Sequence, residues 1–400
     1  MTDPPTESPR LLVLDVLRGL TIAGMVIAND PGDWGHIYPP LRHASWNGIT
    51  PTDFVFPFFL FVVGVSIALA YAKRLSQGLR PNSMHRKIFT RALMIFGLGI
   101  ALSLFPQFDF GELRIPGVLQ RISIVFLVCS LLFLHSSFRT QGWIASTLLV
   151  GYWLAMILVP VPIDETIREA LATGKLQRAH EVVEVSGLVQ LNEAFVAANL
   201  QPGVNLAAWC DRTFIPGRLY EQTWDPEGLL STFPSIVTGL FGMMAGNLLV
   251  RERDRFRQSY SLLLAGFFGV TLGGLWNLFL PFNKNLWSSS FVMYTAGLAS
   301  MTLGALVWIL DIKQWKAWAY VPRVFGANAI TAYVVHGTLG YLFIINAGSD
   351  GASIKGRFMD GLEASGLDRT FVSLLWALLY TAVVFLPVWW MYRKKIFVKI

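Results

Sequence analysis

In the stretch HASWNGITPTDFVFPFFLFVVGVSI, residues 43–67, a histidine, an asparagine and an aspartate stand directly before a long apolar run. An imidazole changes charge near neutral pH, so His43 has the chemistry of a general base. A histidine hydrogen-bonded into a loop at a lipid interface would account for it as well. Thr52 and Asp53 suit the N-cap and first turn of the helix that follows. Asp53 would also fix the imidazole tautomer if the loop folds back. Upstream, LLVLDVLRGLTIAGMVIAND places Asp15 and Arg18 on one helix face. Asn29 falls near the same stripe, roughly 16 Å further along. The Asp15–Arg18 pair reads either as a packing lock or as the lining of a passage, and Asn29 as a site residue at its mouth.

Three later stretches add polar groups. GELRIPGVLQRISI carries Arg114, Gln120 and Arg121, with Pro116 suited to a first helical turn. NKNLWSSSFVMYTAG carries Lys284, Trp287 and three serines, and FGANAITAYVVHG carries Asn328 and His336. Each is explained by hydrogen bonding between helices. Together they supply an interior polar lining. His36 has no partner motif and reads as a loop residue.

The elements that must position these groups cross a membrane. Apolar residues make up 54% of the chain and charged ones 14%, against about a quarter charged in soluble domains. The fold expected is an all-α polytopic membrane protein. A span takes roughly 20 residues, and ten stretches qualify, near 11–29, 53–72, 88–105, 115–134, 143–160, 229–250, 259–280, 288–309, 321–345 and 369–391. The basic loops KRLSQGLRPNSMHRK, RERDRFR and DIKQWKAWAYVPR and the tail RKKIFVK predict both termini on the cytoplasmic side. The net charge of +7 then reflects topology, and no nucleic-acid partner is expected. No cleavable signal peptide is evident. Cys129 falls in a span and Cys210 in a loop, so neither a disulfide nor a metal site is expected.

Residues 1–10 read as a cytoplasmic tail and 11–400 as one transmembrane domain, with 161–228 inserted as an exterior cap. The first half of the cap has helix-like amphipathic spacing and predicts one or two surface helices. Its second half, WCDRTFIPGRLYEQTWDPEGLLSTFP, reads as an ordered loop folded over the membrane part.

LDVLRGLTIAGMVIAND, HASWNG, TPTDFVFPFFLFVVGVSI, RIPGVLQRI, DPEGLLST, KNLWSSSF and GANAITAY, in that order, resemble the heparan-alpha-glucosaminide N-acetyltransferase family. More narrowly they resemble its bacterial inner-membrane relatives of the NagX, glucosamine acetyltransferase-like, type. The resemblance implies an enzyme of the bacterial inner membrane that moves acetyl from cytoplasmic acetyl-CoA to a glucosamine amine on the far side. It implies that His43 is the catalytic histidine and that Asn29 is the asparagine at the end of the preceding helix.

Under that expectation His43 takes the proton of the attacking amine or carries the acetyl group as an acyl-imidazole. Asn29 would steady the oxyanion or orient the ring, with Asp53 behind it. Trp46, Asn47, Lys284, Trp287, Asn328 and His336 are the candidates for holding the sugar. Asp15, Arg18, Gln120 and Arg121 are those for the arm of acetyl-CoA, and Arg86, Lys87, Arg251 and Arg323 are basic groups within reach of its phosphates. A small amino sugar or envelope glycan is the expected acceptor, with self-association possible. A transporter of amino sugars or muropeptides, and an envelope O-acetyltransferase, are the alternatives.

Overall fold

A computed structural model describes residues 12–179, 181–345 and 353–398. Its helices are α1 (Leu12–Asn29), α2 (Val55–Ser76), α3 (His85–Leu104), α4 (Val118–His135), α5 (Phe138–Leu158), α6 (Glu165–Thr173), α7 (Leu206–Phe214), α8 (Leu229–Arg251), α9 (Arg255–Trp276) and α10 (Ser289–Leu306). After a π-helical segment, Val307–Ile312, come α11 (Tyr320–Ala327), α12 (Ala329–Ile344), α13 (Ile354–Ala364) and α14 (Arg369–Arg393). Among the described residues nine helical segments are long and apolar enough to cross a bilayer. The pair α11–α12, bent by 74° at Asn328, makes ten if it counts as one span. The all-α polytopic expectation holds.

Two boundaries moved, in opposite directions. The helix expected from 143 starts at Phe138, because the Ser137 hydroxyl accepts the Thr140 amide. The helix expected from 115 starts at Val118 with Gly117 as its N-cap, so Pro116 lies ahead of the first turn rather than in it.

The chain forms two compact units. One comprises 43–251 and 265–299; the other comprises the described residues of 1–42, 252–264 and 300–399. In the first, α2 and α8 run so close that glycine is required at the crossing. A Cβ on Gly242 would lie 1.9 Å from the Phe61 carbonyl oxygen, and one on Gly64 would lie 2.0 Å from that of Gly239. Small residues at such spacing are how helices approach without a hydrophobic drive in lipid. In the second unit α1 crosses α11 in the same manner at Gly19 and Gly326.

Residues 161–228 are only partly helical. Among the described residues Glu165–Thr173 forms the one helix of the first half, capped by Asp164 and ended by Gly174 at φ 67°. Beyond it the β-branched run Val182–Glu184 pairs as a strand with Lys175–Gln177, and Val161–Pro162 pairs with Phe195–Val196. The amphipathic spacing there suits short strands as well as a helix. A core of Val161, Ile167, Leu176, Val196, Val204 and Trp224 holds the segment together.

Candidate active site

The N-terminal turn of α2 builds the center of the site. Thr50 has an extended backbone and Pro51 opens a 3₁₀ turn, Pro51–Phe54, that puts Asp53 three residues after Thr50. Asp53 Oδ2 accepts the Thr50 amide at 3.0 Å, the Thr50 hydroxyl at 3.0 Å and the Ala44 amide at 3.1 Å. The cap is therefore Thr50, not Thr52. Asp53 Oδ1 remains for His43, whose Nδ1 lies 2.7 Å away. One carboxylate thus does both jobs that its position suggested. Its Oδ2 folds the loop back over the helix start, and its Oδ1 holds the imidazole.

The exposures differ in the sense that chemistry requires. Asp53 is buried, whereas about a third of the His43 side chain, 35%, meets solvent. An ionised carboxylate only accepts hydrogen bonds, so the proton between the two groups belongs to Nδ1. In the neutral ring Nε2 then keeps its lone pair.

The third member arrives from a distant loop. Lys284 Nζ lies 3.1 Å from His43 Nδ1, 3.4 Å from Nε2 and 3.6 Å from Asp53 Oδ1. The loop that carries it is cross-braced. The Asn283 amide nitrogen donates to the Ser288 hydroxyl at 3.1 Å, and the Asn283 side chain accepts the Leu286 amide at 2.8 Å. Asn283 Nδ2 also donates to Asn47 Oδ1 at 3.2 Å, and the Gly48 amide donates to the Phe282 carbonyl at 2.8 Å. Burial lowers the proton affinity of Lys284, with the charges of Asp53 and Glu227 opposing it.

A second cluster lies in the same unit, where two sequence motifs clasp one another. Arg114 donates to Asp225 through Nε at 2.8 Å and Nη2 at 2.6 Å, and to Glu227 through Nη2 at 2.5 Å. Burial alone would lower the guanidinium's proton affinity, but these two carboxylates raise it above the ordinary range. Arg121, 1% exposed, donates to the Gly228 carbonyl at 3.1 Å and to the Ser231 hydroxyl, with its guanidinium 5.2 Å from the Trp287 ring. Asp211 accepts the amides of Leu229 at 2.8 Å and Asp225 at 3.2 Å. Burial nevertheless raises its pKa to about 7.

The other candidates fall elsewhere. Trp46 gives its indole N–H to the Leu200 carbonyl at 2.8 Å and packs on Trp224, so it anchors segment 161–228. Trp287 is 1% exposed, donates to the Thr238 hydroxyl and packs between Phe56 and Phe291, inside the core rather than on a sugar-facing wall. Gln120 is buried against Gly99 and Gly117. In the other unit, Arg18 donates to Asp15 at 3.2 Å and to the Gly326 carbonyl at 3.1 Å, tying α1 to α11. Asn29 is the exposed last residue of α1. Asn328 donates to the Ile396 carbonyl and accepts the Val398 amide, so both ends of its side chain grip the C-terminal segment. His336 stands in α12 beside Tyr380, whose hydroxyl donates to the His336 carbonyl. Thr50, Asn283 and the Asp30–Lys355 ion pair, 3.0 Å, escaped sequence reasoning. Only Thr50 had a readable signal there, as a capping Thr three residues before an Asp.

Taken together, the spans and this polar site at the head of α2 define a multi-pass helical membrane protein. A family model described as heparan-alpha-glucosaminide N-acetyltransferase, catalytic, matches residues 10–173, which include Asn29, His43 and Asp53. The human heparan-alpha-glucosaminide N-acetyltransferase is 29% identical over 98% of this chain, and the mouse protein of that name is 28% identical over 99%. The chain spans 60% and 61% of the lengths of these two relatives. The resemblance of the seven motifs to the heparan-alpha-glucosaminide N-acetyltransferase family is thereby borne out over most of the chain.

Proposed function

We propose that the protein is a membrane acetyltransferase that passes acetyl from acetyl-CoA, taken from the cytoplasmic side, to the amine of a glucosamine-type sugar at the exterior face of a bacterial inner membrane. The observation that carries this reading is the His43–Asp53 pair, with Nδ1 fixed on a buried carboxylate and Nε2 presented from a partly exposed ring. An amine attacks a thioester only as the free base. Nε2 takes the proton that the nitrogen sheds, and Asp53 compensates the imidazolium that forms, a contribution of about 10²–10⁴-fold. The same nitrogen is the atom that would carry acetyl if transfer runs through an acyl-imidazole. In this reading Asn47 helps to hold the sugar. Asp15 and Arg18 in one unit, and Gln120 and Arg121 in the other, already bond or pack within the fold. A cation such as Arg86 or Lys87 meets the phosphates.

The bend at Asn328 favors a second reading, since broken helices mark the binding sites of transporters. One experiment separates the two. Purified protein receives radiolabelled acetyl-CoA with and without glucosamine, wild type beside His43→Ala. Label on the sugar in the wild type alone supports the transferase, and label on wild-type protein without sugar that moves to glucosamine added afterwards supports the acyl-histidine route. Should neither variant consume acetyl-CoA, the transferase is wrong and uptake of amino sugars into proteoliposomes becomes the measurement.

A further inference from the structure

The acceptor amine must come within hydrogen-bonding distance of His43 Nε2, and one amine of the chain already stands there. Lys284 Nζ is 3.1 Å from Nδ1 and 3.4 Å from Nε2 of that ring, on a loop braced by Asn47, Ser288 and the Gly48 amide. We propose that Lys284 is itself an acetyl acceptor, a modification site acetylated by the protein's own center when acetyl-CoA is present without sugar. The inference rests on the transferase reading and goes beyond it.

The chemistry balances without a further reagent. Lys284 passes its ammonium proton to His43 Nε2 and so to solvent. The free amine attacks the thioester carbon, an N–C bond forms and the C–S bond breaks. His43 takes the remaining amine proton and returns it to the sulfur, leaving Nε-acetyllysine and the CoA thiol. Burial lowers the proton affinity of Lys284, which favors the first step. The product is an amide and not a thioester or acyl-imidazole, so it does not pass its acetyl group on. The modification removes the cation 3.6 Å from Asp53 Oδ1 and sets an acetamide against the ring. It is a dead end that silences the site, and a sugar occupying the acceptor position protects against it.

The test uses full-length protein in nanodiscs, incubated with acetyl-CoA alone and analysed by peptide mass spectrometry. Exposed Lys175 and Lys316 serve as internal controls for acetylation in solution. Lys284 is expected to gain one acetyl group well ahead of them, more slowly with excess glucosamine, and activity is expected to fall in step with the modified fraction. His43→Ala is expected to abolish the excess at Lys284, and Asp53→Asn to slow it. If the wild type acetylates glucosamine while Lys284 stays unmodified, this inference fails and the transferase stands. The inference also fails if Lys284 is modified as fast in His43→Ala as in the wild type. If no acetyl reaches glucosamine and no CoA thiol is released, the reading beneath it fails too.

Discussion

Two clusters in one unit draw on the same residue types and end in opposite states. Around Arg114 and Arg121, two carboxylates, a hydroxyl and a backbone carbonyl close on two guanidinium groups, and the Asp225 side chain has no exposed surface. Around His43, one carboxylate is just as deeply buried, but the ring it holds keeps 35% of its side chain in contact with solvent. The first arrangement spends its charges on joining the segment before α4 to the start of α8. The second spends a carboxylate on aiming a nitrogen outward. Charge and polarity alone do not tell structure from site; the distinction lies in whether a reactive atom is left over and can be reached.

The largest effect should come from removing that atom. His43→Ala is expected to lower kcat/KM for acetyl transfer by about 10²–10⁴-fold while the melting temperature in detergent hardly moves. Asp53→Asn should approach the same loss, because an amide no longer dictates which ring nitrogen carries the proton. If His43→Ala unfolds the protein, or leaves transfer intact, the two clusters do not differ as described. Arg114→Ala is the converse break. It strands Asp225 and Glu227 without their cation, at a cost of about 3–5 kcal/mol for a buried pair, somewhat less here because Arg114 is 24% exposed. Thermal unfolding should show the loss, and the remaining folded protein should keep most of its turnover.

The pH dependence of stability sharpens the contrast further. Asp211 has a folded-state pKa raised by burial from 3.8 to about 7. Its contribution is therefore fully present below about 4, declines as the pH rises through about 7, and stays flat above. Melting temperatures measured from pH 5 to 8 should fall across that window in the wild type. Asp211→Asn should remove that slope, although it sets an amide N–H against one of the backbone donors. An unchanged slope in the variant would assign the titration to another group.

Much of this was legible from the sequence, for physical reasons that also mark where legibility stops. Apolar length announced the spans, and a histidine and aspartate before α2 announced a polar start. That Asp53 would serve helix and imidazole together depended on how tightly Thr50 and Pro51 turn the chain, which spacing does not express. Lys284 joins His43 across 241 positions and Arg114 joins Asp225 across 111, and only the fold supplies such pairs. Asn328 looked like a lining residue because its partners are backbone groups of the C-terminal segment, and backbone leaves no signature in the residue types. Segment 175–184 looked helical because alternation over a few residues fits either period.

The smallest effect separates the two duties of Asp53. Thr50→Val keeps the extended backbone at φ −120° and removes one donor to Oδ2, the hydroxyl at 3.0 Å. The Thr50 and Ala44 amides still bind that oxygen, and the bond from Oδ1 to His43 is untouched. The cost should be about 0.5–1.5 kcal/mol in stability, read as a modest drop in melting temperature, with kcat/KM within about twofold of wild type. A large fall in kcat/KM without loss of stability would mean that the hydroxyl also governs the aim of the imidazole. Oδ2 would then belong to the site and not only to the cap.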